Sequence, residues 1–136
     1  LTVDVLDKPS TVLVVESYDD LREALVALLV LEGYTVLSVA TATQALDVLS
    51  HLPRIPSLVL FSLLLRNPED QRFLTRLRNL DLTSKLPVLA LTADPDLQAA
   101  PPGTVGLLGK PVRTEVLLAA VDRYRTRPDG SRRGRI

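Results

Sequence analysis

The sequence predicts an α/β fold built on a doubly wound parallel sheet. Five short apolar runs of four to six residues are spaced along the chain. The runs are continuously apolar rather than alternating, as expected of strands buried on both faces. Between most of them lie segments whose apolar residues recur at helical spacing. A strand–helix repeat of this kind places crossover helices on both faces of one sheet.

Each element has a local reason. Residues 11–15, TVLVV, read as the first strand, ended by the charge of Glu16. Over residues 19–32 the period changes: Leu21, Leu25, Leu28 and Leu29 share one face, with Arg22, Glu23 and Glu32 among the polar positions. Asp19 or Asp20 is the expected cap of this helix, and Gly33 the residue that closes it. Residues 34–39, YTVLSV, form the second strand. Thr41 or Thr43 opens a helix through Leu52 with Ala42, Ala45, Leu46 and Leu49 inward, and Pro53 and Pro56 end it. Residues 58–61, LVLF, are the third strand, and residues 69–80 a helix with Phe73, Leu74, Leu77 and Leu80 facing the sheet. The fourth and fifth strands are residues 87–91, PVLAL, and 105–108, VGLL. Between them only residues 94–100 can be helical, because Pro101 and Pro102 forbid continuation. Residues 113–125 form the last helix, with Val116, Leu117, Ala120, Val121 and Tyr124 inward. The expected organisation is a lead-in at residues 1–10, one domain at 11–125 and a basic tail or linker at 126–136.

Composition narrows the function. A chain of 136 residues fits one domain, and 46% apolar with 24% charged residues argues against wholesale disorder. The absence of Cys excludes disulfides and zinc–thiolate sites, and the single His, His51, excludes multi-His metal clusters. No uninterrupted apolar run reaches the roughly 18–20 residues that span a bilayer, and nothing reads as a signal peptide. A soluble cytoplasmic protein without membrane contact is expected. A chain with no Met that begins at Leu1 is expected to have lost its natural start.

The net charge of zero hides an asymmetry. Residues 1–122 carry 10 basic and 15 acidic side chains, whereas residues 123–136 carry six Arg and one Asp. An acidic body does not attract nucleic acid or anionic lipid. The tail, RYRTRPDGSRRGRI, offers weak phosphate contacts at most, since no aromatic or amide side chains interleave its arginines. It reads as a solubilising tail or the start of a linker.

In a doubly wound sheet, ligands bind outside the C-terminal ends of the strands. The residues there are Glu16 and Ser17 after the first strand, Ser62 after the third, Thr92 after the fourth, and Lys110 with Pro111 after the fifth. The turn after the first strand is ESYDD, and no Gly-rich phosphate loop occurs anywhere. Neither a dinucleotide site nor a P-loop nucleotide site is therefore expected.

The segments VLVVESYDDLR, PSLVLFSLLL, LALTAD and LLGKPV give the chain a family resemblance. It resembles the receiver domain of two-component response regulators over about residues 11–125. The most specific marker is Thr92 followed 18 residues later by Lys110 and Pro111. The resemblance implies a flavodoxin-like sheet of order 2-1-3-4-5 with a shortened or missing fourth helix.

The resemblance also implies roles. In a working receiver, a carboxylate after the third strand takes a phosphoryl group from a histidine kinase. Two acids after the first strand hold Mg²⁺, and a hydroxyl and a Lys after the fourth and fifth strands bind the phosphoryl oxygens. Here the acceptor position falls on Ser62, the acid pair on Glu16 and Ser17, and the hydroxyl and Lys on Thr92 and Lys110. A serine hydroxyl is a poor nucleophile without a nearby base, and His51 lies near the end of the second helix. One Glu with hydroxyls is too weak a set for Mg²⁺. No aspartyl phosphorylation, metal, cofactor or enzymatic activity is therefore expected.

Leu107 stands where the family often has an aromatic that reports the hydroxyl's position. The curtailed fourth helix implies an altered dimer face. Lys110 is expected to pair with Glu16, the competing readings being an anion site with Thr92 and Ser62 or an outward surface charge. Pro111 is a candidate cis-proline in a tight turn. Leu63, Leu64 and Leu65 either close the top of the core or form an apolar contact patch, and RNPEDQR, residues 66–72, reads as a solvated helix start.

The function expected is a phosphorylation-independent receiver-like signalling domain in a two-component or transcriptional regulatory protein. It acts by contact with a protein partner or output domain. The alternatives are a sensor of small anions or other ligands in the vestigial pocket, and an enzyme transferring phosphoryl groups by another route.

Overall fold

The structure, a computed structural model, describes residues 10–64, 66–80 and 85–125. The lead-in and tail thus lie outside the described residues, except for Ser10, which is buried and whose carbonyl accepts the Thr35 N–H at 2.9 Å. In chain order the elements are β1 (Thr11–Val15), α1 (Asp19–Leu31), β2 (Thr35–Val39), α2 (Ala42–His51), β3 (Leu58–Ser62), α3 (Pro68–Asn79), β4 (Val88–Thr92), β5 (Gly106–Gly109) and α4 (Thr114–Asp122). The strands form one parallel sheet of order β2-β1-β3-β4-β5.

The register explains why the central strands are apolar at nearly every position. Val39, Val15, Phe61, Ala90 and Leu107 align as one row across all five strands. That row faces α2 and α3, where Ala42, Ala45, Phe73, Leu74 and Leu77 complete the packing, with the Phe61 and Phe73 rings 4.9 Å apart. The alternate residues Val12, Val14, Leu58, Leu60, Leu89 and Leu91 face α1 and α4, meeting Leu25, Leu29, Leu117 and Val121. With both faces covered, period-2 alternation has no solvent side to report.

Several local expectations change. Neither Asp19 nor Asp20 caps α1: the cap position is Tyr18, which makes no side-chain cap bond, and the two acids lie in the first turn. There they face the positive end of the helix dipole without accepting a cap bond. Gly33 follows the α1 cap residue Glu32 with φ +94°, the left-handed conformation that terminates a helix. Thr41, not Thr43, caps α2 through a capping box with Gln44. The α3 helix starts a residue earlier than expected, with Asn67 accepting the Glu69 N–H at 2.9 Å and Pro68 in the first turn. Leu80 and Val116, read as inward, are 55% and 43% exposed: Leu80 is the cap residue after the end of α3, and Val116, in the first turn of α4, lies beside the face that buries Leu117 and Val121.

Residues 93–104 contain no helix. The helix expected to be shortened or missing is absent from that connection, and four helices remain among the described residues. Leu97 still packs against the α2–α3 face and supplies part of the missing cover.

Candidate functional site

The fold gathers the strand-end residues because β3 lies beside both β1 and β4, and β4 beside β5. Glu16 follows β1, Ser62 ends β3, Thr92 ends β4, and Lys110 follows β5. Glu16 is the centre. Its side chain is only 3% exposed. Its Oε1 accepts from the Ser62 hydroxyl and, at 2.8 Å, from the Lys110 ammonium. Its Oε2 accepts the Tyr18 N–H at 2.9 Å, and its backbone carbonyl accepts from Arg22 Nη1 at 2.8 Å. Arg22 also pairs with Asp19.

Burial acts to raise the Glu16 pKa, but the hydrogen bonds from Lys110, Ser62 and the Tyr18 N–H, with the Lys110 charge, outweigh it and hold it below the ordinary value. Glu16 is thus ionised at neutral pH and paired. This donor set does not fit a hexacoordinate divalent cation. Both carboxylate oxygens are already engaged, the Lys110 ammonium on Oε1 would repel a divalent ion, and the adjoining Ser17 and Ser62 are hydroxyls rather than carboxylates. Among the described residues no group of three or more His, Cys, Asp or Glu side chains is arranged to hold a metal ion.

The other strand-end residues are less entwined. Ser17 is exposed. The Thr92 hydroxyl is buried and accepts the Asp94 N–H at 3.0 Å, while the Thr92 carbonyl accepts the Lys110 N–H at 2.7 Å. The Lys110–Pro111 peptide bond is cis. Leu107 is half-buried against the α2–α3 face of the core. His51 lies exposed beside Asp47, at the opposite end of α2 from the strand-end loops. Leu63 is buried and Leu64 exposed, so the strand-three exit both closes the core and presents one apolar side chain. Leu65 lies outside the described residues. A groove of about 510 Å³ opens beside this centre, lined by Leu63, Leu64, Arg66, Asn67, Thr92 and Asp94 among others.

Asp70 is the site residue that sequence reasoning missed. The stretch RNPEDQR is not wholly solvated: Asp70 is 6% exposed and accepts the Leu64 N–H at 2.8 Å, pinning the loop after β3. Burial raises its pKa. An acid in the first turn of a helix that follows a strand-end loop is a usable signal, but one shared by many solvated acids. Glu69 beside it accepts the Thr43 N–H at 3.0 Å and also the Thr43 hydroxyl, tying α3 to α2.

The strand order and the loops gathered at the C-terminal strand ends define a doubly wound α/β domain with its site at the topological switch. The chain matches the response regulator receiver domain over residues 12–122, and it belongs to that family. Among solved structures it is similar to a chain from Chloroflexus aurantiacus J-10-fl assigned to the response regulators. The two share 30% identity over 86% of this chain and 98% of that one, with a TM-score of 0.73. It is also similar to the signal receiver domain of an HD domain-containing protein from Pseudomonas fluorescens Pf-5, at 28% identity over 84% of this chain and 92% of that one, TM-score 0.70. The chemotaxis response regulator CheY4 of Vibrio cholerae shares the fold at 21% identity over 86% of this chain and 99% of that one, TM-score 0.73. No curated protein sequence matches. The domain is thus a signalling receiver, and among its described residues no helix is long and apolar enough to cross a membrane.

Proposed function

We propose that this receiver domain, residues 11–125, signals without phosphorylation. It presents a fixed surface to a protein partner or output domain of a two-component or transcriptional regulator in the cytoplasm, with the lead-in and tail as connecting segments. The observation that carries the reading is the Glu16 carboxylate shared by Ser62 and Lys110. A receiver needs a carboxylate at the strand-three exit to form an acyl phosphate, and here that exit ends in a hydroxyl bonded to an ionised acid. Ser62 is the vestigial acceptor position, Glu16 and Ser17 the vestigial acidic pocket, and Thr92, Leu107, Lys110 and Pro111 the switch-type positions held in one arrangement. The domain is not an enzyme in this reading. An anion sensor is disfavoured because the Lys110 charge is spent on Glu16.

Incubation with acetyl phosphate and Mg²⁺, followed by intact mass, tests it. No phosphoryl adduct is expected. A hydroxylamine-labile adduct, marking a carboxylate, or an acid-stable adduct at Ser62 would overturn the reading.

A further inference from the structure

The fold sorts the charges by end. In a parallel sheet with crossover helices, the strand-end loops and the first half of each helix lie at one end, and the second half with the connections into strands at the other. Among the described residues the first end carries nine carboxylates and five cations, and the second six cations and three carboxylates. At the loop end three of the five cations, Lys110, Arg22 and Arg113, are paired internally with Glu16, Asp19 and Glu115, while Arg66 and Arg72 are exposed. Asp20, Glu23 and Asp96 are exposed there. At the other end Arg54, Arg76, Arg78 and Arg123 are exposed and enter no ion pair among the described residues. Arg125 shows that the end of α4 reaches this same end, since its Nη2 donates to the Glu32 carbonyl after α1 at 2.9 Å.

Both ends also expose apolar side chains. Tyr18 and Leu64 stand at the acidic end, and Leu31, Ile55 and Leu80 at the basic end. The chain as a whole carries no net charge, so long-range repulsion does not keep copies apart.

We propose that the acidic loop end of one copy docks on the basic end of a second copy, giving head-to-tail association. The surfaces are complementary in sign, and each supplies apolar anchors. Because the two surfaces differ, the contact is heterologous and extends into open chains unless the rotation closes a ring. This goes beyond the proposed function, because it uses the segregated charges and not the Glu16–Lys110–Ser62 centre, so either reading stands if the other fails.

Sedimentation of the full chain tests it. At about 0.01 M ionic strength, where screening is weak, the weight-average mass is expected to climb with concentration to at least about twice the 14.9 kDa monomer. At about 1 M it is expected to return to monomer. The variants Arg54→Glu/Arg76→Glu/Arg78→Glu and Asp20→Lys/Glu23→Lys/Asp96→Lys each give both ends one sign, and each is expected to stay monomeric. Mixing the two folded variants in equal amounts is expected to restore association. A wild-type chain that stays monomeric at low salt overturns the proposal, as does association that survives both reversals. It is also overturned by a mixture that stays monomeric although circular dichroism shows both variants folded. A wild-type chain that gains mass only with duplex DNA would assign the basic end to nucleic acid instead.

Discussion

Glu16 sits in a position where its neighbours decide its cost. A buried carboxylate is unfavourable alone and tolerable when paired and hydrogen-bonded. Removing Lys110 should therefore hurt more than an exposed ion pair would. Lys110→Ala is expected to lower stability by about 2–4 kcal/mol, the cost of leaving a buried acid without its cation. Urea denaturation at pH 7 measures this, and a loss under about 0.5 kcal/mol, the scale of an exposed pair, contradicts it. The same pair sets an acid dependence. Because the folded pKa of Glu16 is depressed, its stabilisation is present above the unfolded value, near 4.5, and is lost as pH falls through the folded value. The stability gap between wild type and Lys110→Ala should therefore narrow as pH falls below about 4.5. Asp70 runs the other way: its raised pKa means its burial penalty is relieved as pH falls.

At the scale of elements, the strands and helices were legible because their signals are local. The apolar runs, Gly33 and the Pro53 and Pro56 breakers all act within a few residues of themselves, whereas the Thr41-to-Gln44 box and Pro68 at the start of α3 emerged only from the structure. Element ends were less legible, since Ser62, Thr92 and Gly109 are strand residues only because a neighbouring strand pairs with them. The curtailed segment before β5 was readable from Pro101 and Pro102. Its backbone bonds include only isolated turns, such as Leu97 N–H to the Asp94 carbonyl at 3.3 Å and Thr104 N–H to the Pro101 carbonyl at 3.1 Å. Amide hydrogen exchange should accordingly find residues 93–104 exchanging far faster than β4, whose five residues are all buried. Protection of that segment equal to α3 would mean that a helix forms there.

Across the whole molecule, the two ends do different work. The site lies at the strand-end loops, while α4 is fastened at the other end by Arg125. Its guanidinium carbon stacks 4.4 Å above the Tyr34 ring, its Nε lies 3.3 Å from Asp122, and it donates to the Glu32 carbonyl. Arg125→Ala is expected to cost about 1–2 kcal/mol, from a half-buried cation–π contact and a lost hydrogen bond. Thermal unfolding measures the loss, and the chemical shifts of the Glu16, Ser62 and Lys110 amides should not move. Perturbation of those amides would show that the two ends are coupled.

By itself, the sequence determined the strand–helix repeat, the family and the hydroxyl at the strand-three exit, because periodicity, breakers and strand-end residue types are written in adjacent positions. Only the tertiary structure decided that Lys110 turns inward to Glu16, that Asp70 is buried, and that the described residues carry opposite net charge at the two ends of the sheet. Averaged along the chain, the charges divide into an acidic body and a basic tail. In space they divide by the direction of each element, which no local stretch of sequence records.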